Sequence, residues 1–219
     1  MQFDAEILAP GLVSFSWILA GLLLLAALSG LGAVRSAPHR LHLVAGAAVA
    51  LALLWSVRAG VDPGLGLHVL GITAVVLLLG WRLAMLAAAL ASLALVLVGD
   101  TPWVTAPAGW LLSAAVPGAV AAAMAWIARF HLPRNPFVFI FVCAFFASGL
   151  ALLLTWLLTA ALLAWSGQAS PSGADSSLLA FLPLVIFPEG FINGAIMSML
   201  IVYRPDWVRL YDERFYIQS

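Results

Sequence analysis

The chain has 219 residues, is 65% hydrophobic and only 8% charged, and carries nine arginines and no lysine against nine carboxylates, for a formal net charge of zero. Soluble domains carry about 25% charged residues, so a water-facing globular fold is excluded, as is the concentrated basic surface that nucleic acid requires. A chain of this length can build one domain of membrane-spanning helices and has no room for a separate soluble one.

In chain order, the apolar stretches predict spans at 12–34, 41–58, 66–80, 83–99, 107–128, 136–165 and 178–203, each ended by charge, proline or glycine. The expected fold is an all-α integral membrane protein with about seven transmembrane helices in a single domain, 1–219, followed by a tail from 204 to 219. Asp4 and Glu6 precede the first span, where a basic region would open a secretory signal, so no removed signal peptide is expected. That span is rich in small residues, Ala20, Gly21, Ala26, Ala27, Gly30 and Gly32, which permit close helix contacts. The third and fourth spans are separated only by Gly80, Trp81 and Arg82. Drawn as one helix they would be about 48 Å long against a hydrocarbon core of about 30 Å, so two short helices with a tight turn are predicted. Cys143 lies in an apolar run and can form no internal disulfide, and Ser166–Ser177 reads as a polar outer loop.

Charge predicts the orientation. With the N-terminus outside, the inner loops hold Arg35, Arg40, Arg82, Arg129, Arg134, Arg204, Arg209 and Arg214, and the outer side keeps Arg58. The same assignment puts Asp62, Asp100 and Asp175 outside and the C-terminal tail in the cytoplasm. Trp103, Trp110, Trp165, Trp207, Tyr203 and Tyr211 fall near span ends, as an aromatic belt would place them.

Polar groups within the spans need a reason to be there, since an ionisable side chain at the bilayer centre costs about 2.5–3.5 kcal/mol on insertion scales. Glu189 and Asn193 lie one turn apart on a single helix face, in a segment interrupted by Pro183 and Pro188. Two roles are open for Glu189: lining a shared polar cavity with Asn193, or capping and pairing with a neighbouring helix through Arg82 or a backbone donor. His68 follows the glycine-rich run Asp62-Pro63-Gly64-Leu65-Gly66 at the outer end of the third span. An imidazole there can ligate a soft or borderline metal, but one histidine does not make a site, and a hydrogen-bonded interfacial histidine is equally open. His39, His42 and His131 lie beside arginines and read as loop residues. No nucleophile elbow, zinc-protease helix, phosphate loop or C-x-x-C motif is present, so the chain is expected not to be an enzyme.

The run Glu189-Gly190-Phe191-Ile192-Asn193-Gly194, followed by Tyr203-Arg204-Pro205-Asp206, resembles the last helix of CbiM/NikM-type proteins, with Asn193 where threonine is usual. The block Pro63-Gly64-Leu65-Gly66-Leu67-His68-Val69-Leu70-Gly71, leading to Leu77-Leu78-Leu79-Gly80, is similar to that family's histidine-bearing segment, and Met1-Gln2-Phe3 with Leu8-Ala9-Pro10 is similar to its start. Members are substrate-capture components of energy-coupling-factor importers for nickel or cobalt. The resemblance implies a metal held by the free N-terminal amine, the backbone nitrogen and imidazole of the second residue, and a histidine equivalent to His68. Position 2 here is Gln2, so that first imidazole is missing, and the segment from Gly99 to Arg134 offers Asp100, Thr101 and Thr105 where an asparagine-rich stretch is expected.

The resemblance therefore implies a substrate-binding permease subunit of a bacterial plasma-membrane importer for a transition-metal ion or metal-containing compound. Met1, Gln2 and His68 would form the metal site, with Asp62 and Asp100 near its mouth and Glu189 and Asn193 shaping the cavity or its polar support. No tightly bound cofactor is expected; the metal would be the substrate. The expected partners are the lipid bilayer, a coupling membrane subunit and ATPase subunits, met by the surface near Arg82, Arg129, Arg134 and the tail. The alternative is a solitary membrane protein that assists assembly or maturation of another complex, for which the aromatic tail Tyr211–Tyr216 and the absent second histidine speak. A secondary transporter is a weaker reading, because no inverted repeat is visible.

Overall fold

The computed structural model describes residues 2–4, 6–62, 65–167 and 174–217. Strand β1 (Gln2–Phe3) leads into α1 (Pro10–Leu28) and the short α2 (Leu31–Ser36). Helix α3 (His39–Ser56) is followed by strands β2 (Ala59–Asp62) and β3 (Leu65–Leu67), then α4 (Ile72–Leu79) and α5 (Trp81–Leu97). Two long helices come next, α6 (Ala106–His131) and α7 (Pro136–Trp165), each with an internal π-helical stretch. Helix α8 (Ala174–Tyr203) and a tail containing the short helix α9 (Glu213–Ile217) complete the chain.

Among the described residues, four helices are long and apolar enough to cross a membrane: α1, α6, α7 and the Leu182–Tyr203 part of α8; α3 and α5 are shorter apolar helices. Their outer surfaces are what lipid requires. On α1, Phe15, Ile18, Leu22 and Leu25 recur at three- and four-residue spacing and are each at least 60% exposed, which is one helix face presented to hydrocarbon. The inner surfaces are small instead: Ala84, Ala87, Ala88 and Ala91 of α5 are completely or almost completely buried, so neighbouring backbones approach closely. The protein is thus a multi-pass helical membrane protein.

Two features depart from the expected pattern. A three-stranded antiparallel sheet in the order β1-β3-β2 is added at one end, pairing Gln2 with Gly66 and Phe3 with Leu65. The expected span at 66–80 is not one helix: its first part is strand and extended chain, and only the eight residues of α4 are helical. Gly71 and Gly80 set the ends of α4. Both have positive φ, 64° and 77°, which side chains rarely tolerate, and a Cβ on Gly71 would lie 2.6 Å from Leu54 Cδ2. All of α4 except Leu78 is buried, so this helix is wrapped by protein rather than by lipid.

A helix of eight residues in a dry interior leaves terminal N–H and C=O groups that water cannot satisfy. At its start, Leu70 N–H donates to Glu189 Oε2 (2.7 Å), Gly71 N–H to Glu189 Oε1 (2.9 Å) and Ala74 N–H to Asn193 Oδ1 (2.8 Å). At its end, the Arg209 and Leu210 N–H groups donate to the carbonyls of Leu78 (3.0 Å) and Leu77 (3.1 Å), and Arg209 Nη1 donates to that of Leu79 (3.3 Å). Burial, then the charges of Arg40 and Arg82, pulls the Arg209 guanidinium below its ordinary pKa. The tail is pinned further by Tyr211 and Tyr216, stacked 5.1 Å apart and both edge-on to Phe139, while Arg129 and Arg134 lie over Phe215.

Candidate functional site

The sheet delivers the start of the chain to His68. Because Gln2 pairs with Gly66, β1 runs beside the strand that ends one residue before the histidine. Phe3 is 1% exposed, and Thr105 Oγ1 donates to its carbonyl at 2.6 Å, so this strand is anchored in the body of the protein. The Gln2 side chain is buried as well, with its Nε2 donating to the Trp55 carbonyl (3.5 Å). Met1 lies outside the described residues, as do Pro63 and Gly64.

His68 is buried and held by its neighbours. Its Nδ1–H donates to the Val69 carbonyl (3.0 Å), so the ring's lone pair is on Nε2, where it accepts from Ser113 Oγ at 3.4 Å. A carbonyl bonded to one ring nitrogen is the usual way to fix the tautomer of a metal-binding histidine. The Trp55 ring lies 5.3 Å from the imidazole, and its Nε1–H donates to the Leu70 carbonyl (2.9 Å), locking the turn after the histidine. Ser113 belongs to the π-helical stretch Leu111–Ala115 of α6, and such bulges commonly re-aim side chains at functional sites. The Leu112 carbonyl in that stretch is satisfied by Thr155 Oγ1 at 3.2 Å.

Gln2, Trp55, His68, Thr101, Trp110 and Ser113 line a cavity of about 20 Å³. Two larger grooves, about 290 Å³ against α1, α5 and α6 and about 590 Å³ between α3, α4 and α8, are almost wholly apolar and open along helix faces, which suits acyl chains. No group of three or more His, Cys, Asp or Glu that could hold a metal occurs among the described residues. Of the three spaces, the small cavity has the largest share of polar lining residues, and its donors are nitrogen and neutral oxygen.

The other residues singled out from the sequence sit elsewhere. Glu189 and Asn193 share a face but do not line this cavity: the Glu189 carboxylate is occupied by the N–H groups of Leu70 and Gly71, just before α4, and by Asn193 Nδ2 (2.8 Å), which is the backbone-donor role among those left open. They act on the site by fixing the Leu70–Gly71 turn that follows His68. Asp100 does not line the cavity either; its Oδ1 and carbonyl both accept from Arg58 at 2.9 Å. Both side chains are about one-third exposed, and such pairs contribute about 0–1 kcal/mol. Arg58→Ala is accordingly expected to lower the melting temperature of the purified protein by no more than about 4 °C; a larger drop would make the pair a structural clamp. The Asp62 side chain lies outside the described residues.

Trp110 and Tyr211, assigned to an aromatic belt by sequence position, are 3% and 6% exposed and belong to the interior, whereas Trp103, Trp165 and Tyr203 are well exposed. Trp55, Trp110 and Ser113 went unread as site residues: a tryptophan at a span end and a serine in a span carry no signal that separates a cavity from a packed core.

Residues 4–207 match the model of the CbiM family, described as the cobalt uptake substrate-specific transmembrane region. The chain belongs to the CbiM family. It is therefore a membrane component of metal uptake. A solved structure described as that of a transition metal transporter has the same fold, with a TM-score of 0.74 over 94% of this CbiM-family chain and 93% of that one, at 15% sequence identity. No curated protein matches in sequence.

Proposed function

We propose that this chain is the substrate-capture subunit of an energy-coupling-factor importer in a bacterial plasma membrane, taking a transition-metal ion from outside. The observation that carries the reading is the antiparallel pairing of Gln2 with Gly66, which brings the start of the chain to a buried His68 whose Nδ1 is tied to a carbonyl. Met1, Gln2 and His68 form the metal-binding group. Nitrogen donors suit Ni(II), Co(II) and Cu(II), and a glutamine in place of an imidazole removes one of them, so the metal preference differs from that of a two-histidine site. The N-terminus faces outside and the arginine-bearing loops face the cytoplasm, an orientation supported by the eight-to-one division of arginines. The chain is not an enzyme, and ATP hydrolysis belongs to partner subunits that dock through a coupling membrane subunit on the arginine-rich side.

Calorimetric titration of the detergent-purified protein with Co(II), Ni(II) and Cu(II) chlorides tests this. Protein with a free N-terminus is expected to bind one ion, an N-terminal Gly-Ser extension to lose that binding, and Gln2→His to strengthen it at least about tenfold. Absence of binding by the free-terminus protein to every one of these ions would discard the metal-capture reading.

A further inference from the structure

The cavity beside His68 carries a chemical signature of its own. Among the described residues, six buried side-chain atoms have no hydrogen-bond partner, and three of them, Gln2 Oε1, Thr101 Oγ1 and Trp110 Nε1, belong to residues that line it. Buried polar atoms are nearly always bonded, so three orphans around one small space point to an occupant that satisfies them together. The three differ in kind. An indole N–H only donates, an amide oxygen only accepts, and a hydroxyl does either. A bare cation could coordinate the two oxygens but would face the positive end of the Trp110 N–H bond. A fully hydrated cation is excluded by size, because the cavity of about 20 Å³ has room for one water, which needs about 10–15 Å³.

We propose that this protein captures its metal with one water still attached, and that Trp110, Thr101 and Gln2 form the seat for that water. The inference rests on the metal-capture reading and refines the part of Gln2 in it. One lone pair of the water coordinates the ion and the other accepts from Trp110 Nε1–H, while its two protons go to Gln2 Oε1 and Thr101 Oγ1. All four bonding directions of the water are then used, and each of the three atoms has a partner. Gln2 acts on the metal through the water rather than as a direct ligand, so a neutral, weakly coordinating side chain at this position becomes a functional replacement for an imidazole. The seat also selects its cargo: an ion that sheds all its water, or one that binds a harder anion in that position, loses the Trp110 and Gln2 bonds.

The test is electron–nuclear double resonance of the Co(II)-loaded full-length protein in water enriched in the magnetic oxygen isotope, with Co(II) affinity measured in parallel. The wild type is expected to show coupling to one exchangeable oxygen. Trp110→Phe keeps the ring bulk and removes the donor; it is expected to bind Co(II) about tenfold more weakly, with the coupling lost or reduced. Thr101→Val is expected to do the same to a smaller degree and serves if Trp110→Phe does not fold. Co(II) binding by the wild type without an exchangeable oxygen overturns the water seat and leaves metal capture intact, as does an unchanged coupling and affinity in both variants. Failure of the wild type to bind Co(II), Ni(II) or Cu(II) overturns metal capture itself and this inference with it.

Discussion

Glu189→Ala is expected to remove much of the stability of the protein without altering its lipid-facing surface. The Glu189 side chain accepts from Leu70 N–H, Gly71 N–H and Asn193 Nδ2 at 2.7–2.9 Å, and it is 1% exposed, so no water replaces it. Two abandoned backbone donors at about 1–3 kcal/mol each put the loss at about 2–6 kcal/mol, a large part of the roughly 5–15 kcal/mol that holds a domain folded. Glu189→Gln is isosteric but still costly, because turning one acceptor oxygen into an NH₂ sets a donor against a donor. Melting of the detergent-solubilised protein checks this. An alanine variant that melts within about 2 °C of the wild type would show that the α4 N-terminus does not depend on this carboxylate.

His68→Ala is expected to have the opposite profile. Its ring contacts Trp55, its Nδ1–H bonds the neighbouring Val69 carbonyl and its Nε2 bonds Ser113 Oγ, with no backbone group of another element held by it in these bonds, so truncation is expected to leave the fold standing with a modest cavity cost. Metal affinity, on the proposed function, is expected to fall by more than about a hundredfold, beyond the 10–100-fold seen when only supporting residues are changed. Calorimetry with Co(II) and Ni(II) measures this, and retention of wild-type affinity would remove His68 from the metal site. Together the two substitutions separate what holds the site from what binds in it.

Much of this was legible in the sequence, for physical reasons that also mark where legibility stopped. The long spans are visible because lipid demands unbroken apolar runs, and the pairing of Glu189 with Asn193 on one face follows from helical period alone. What those two residues hold was not visible. A short helix buried in protein and a full span buried in lipid are equally apolar, so 66–80 reads as one continuous span although only Ile72–Leu79 is helical. The β1 strand is two residues long, too short to carry a period, so its pairing with β3 leaves no trace in the pattern. Trp110 has the position of a belt residue and the environment of a cavity wall, which only the fold around it distinguishes.

The tethering of α4 at both of its ends has a consequence for how the protein is made. The N–H groups of Leu70 and Gly71 just before it and of Ala74 in its first turn wait for Glu189 and Asn193, and its last carbonyls wait for Arg209 and Leu210, all of them encoded more than a hundred residues downstream. During synthesis the segment that positions His68 has unpaid hydrogen bonds until the final helix and tail have emerged from the ribosome. A nascent chain cut short anywhere before them can insert its early helices but cannot fix the turn after His68, so incomplete copies are expected to lack the proposed site.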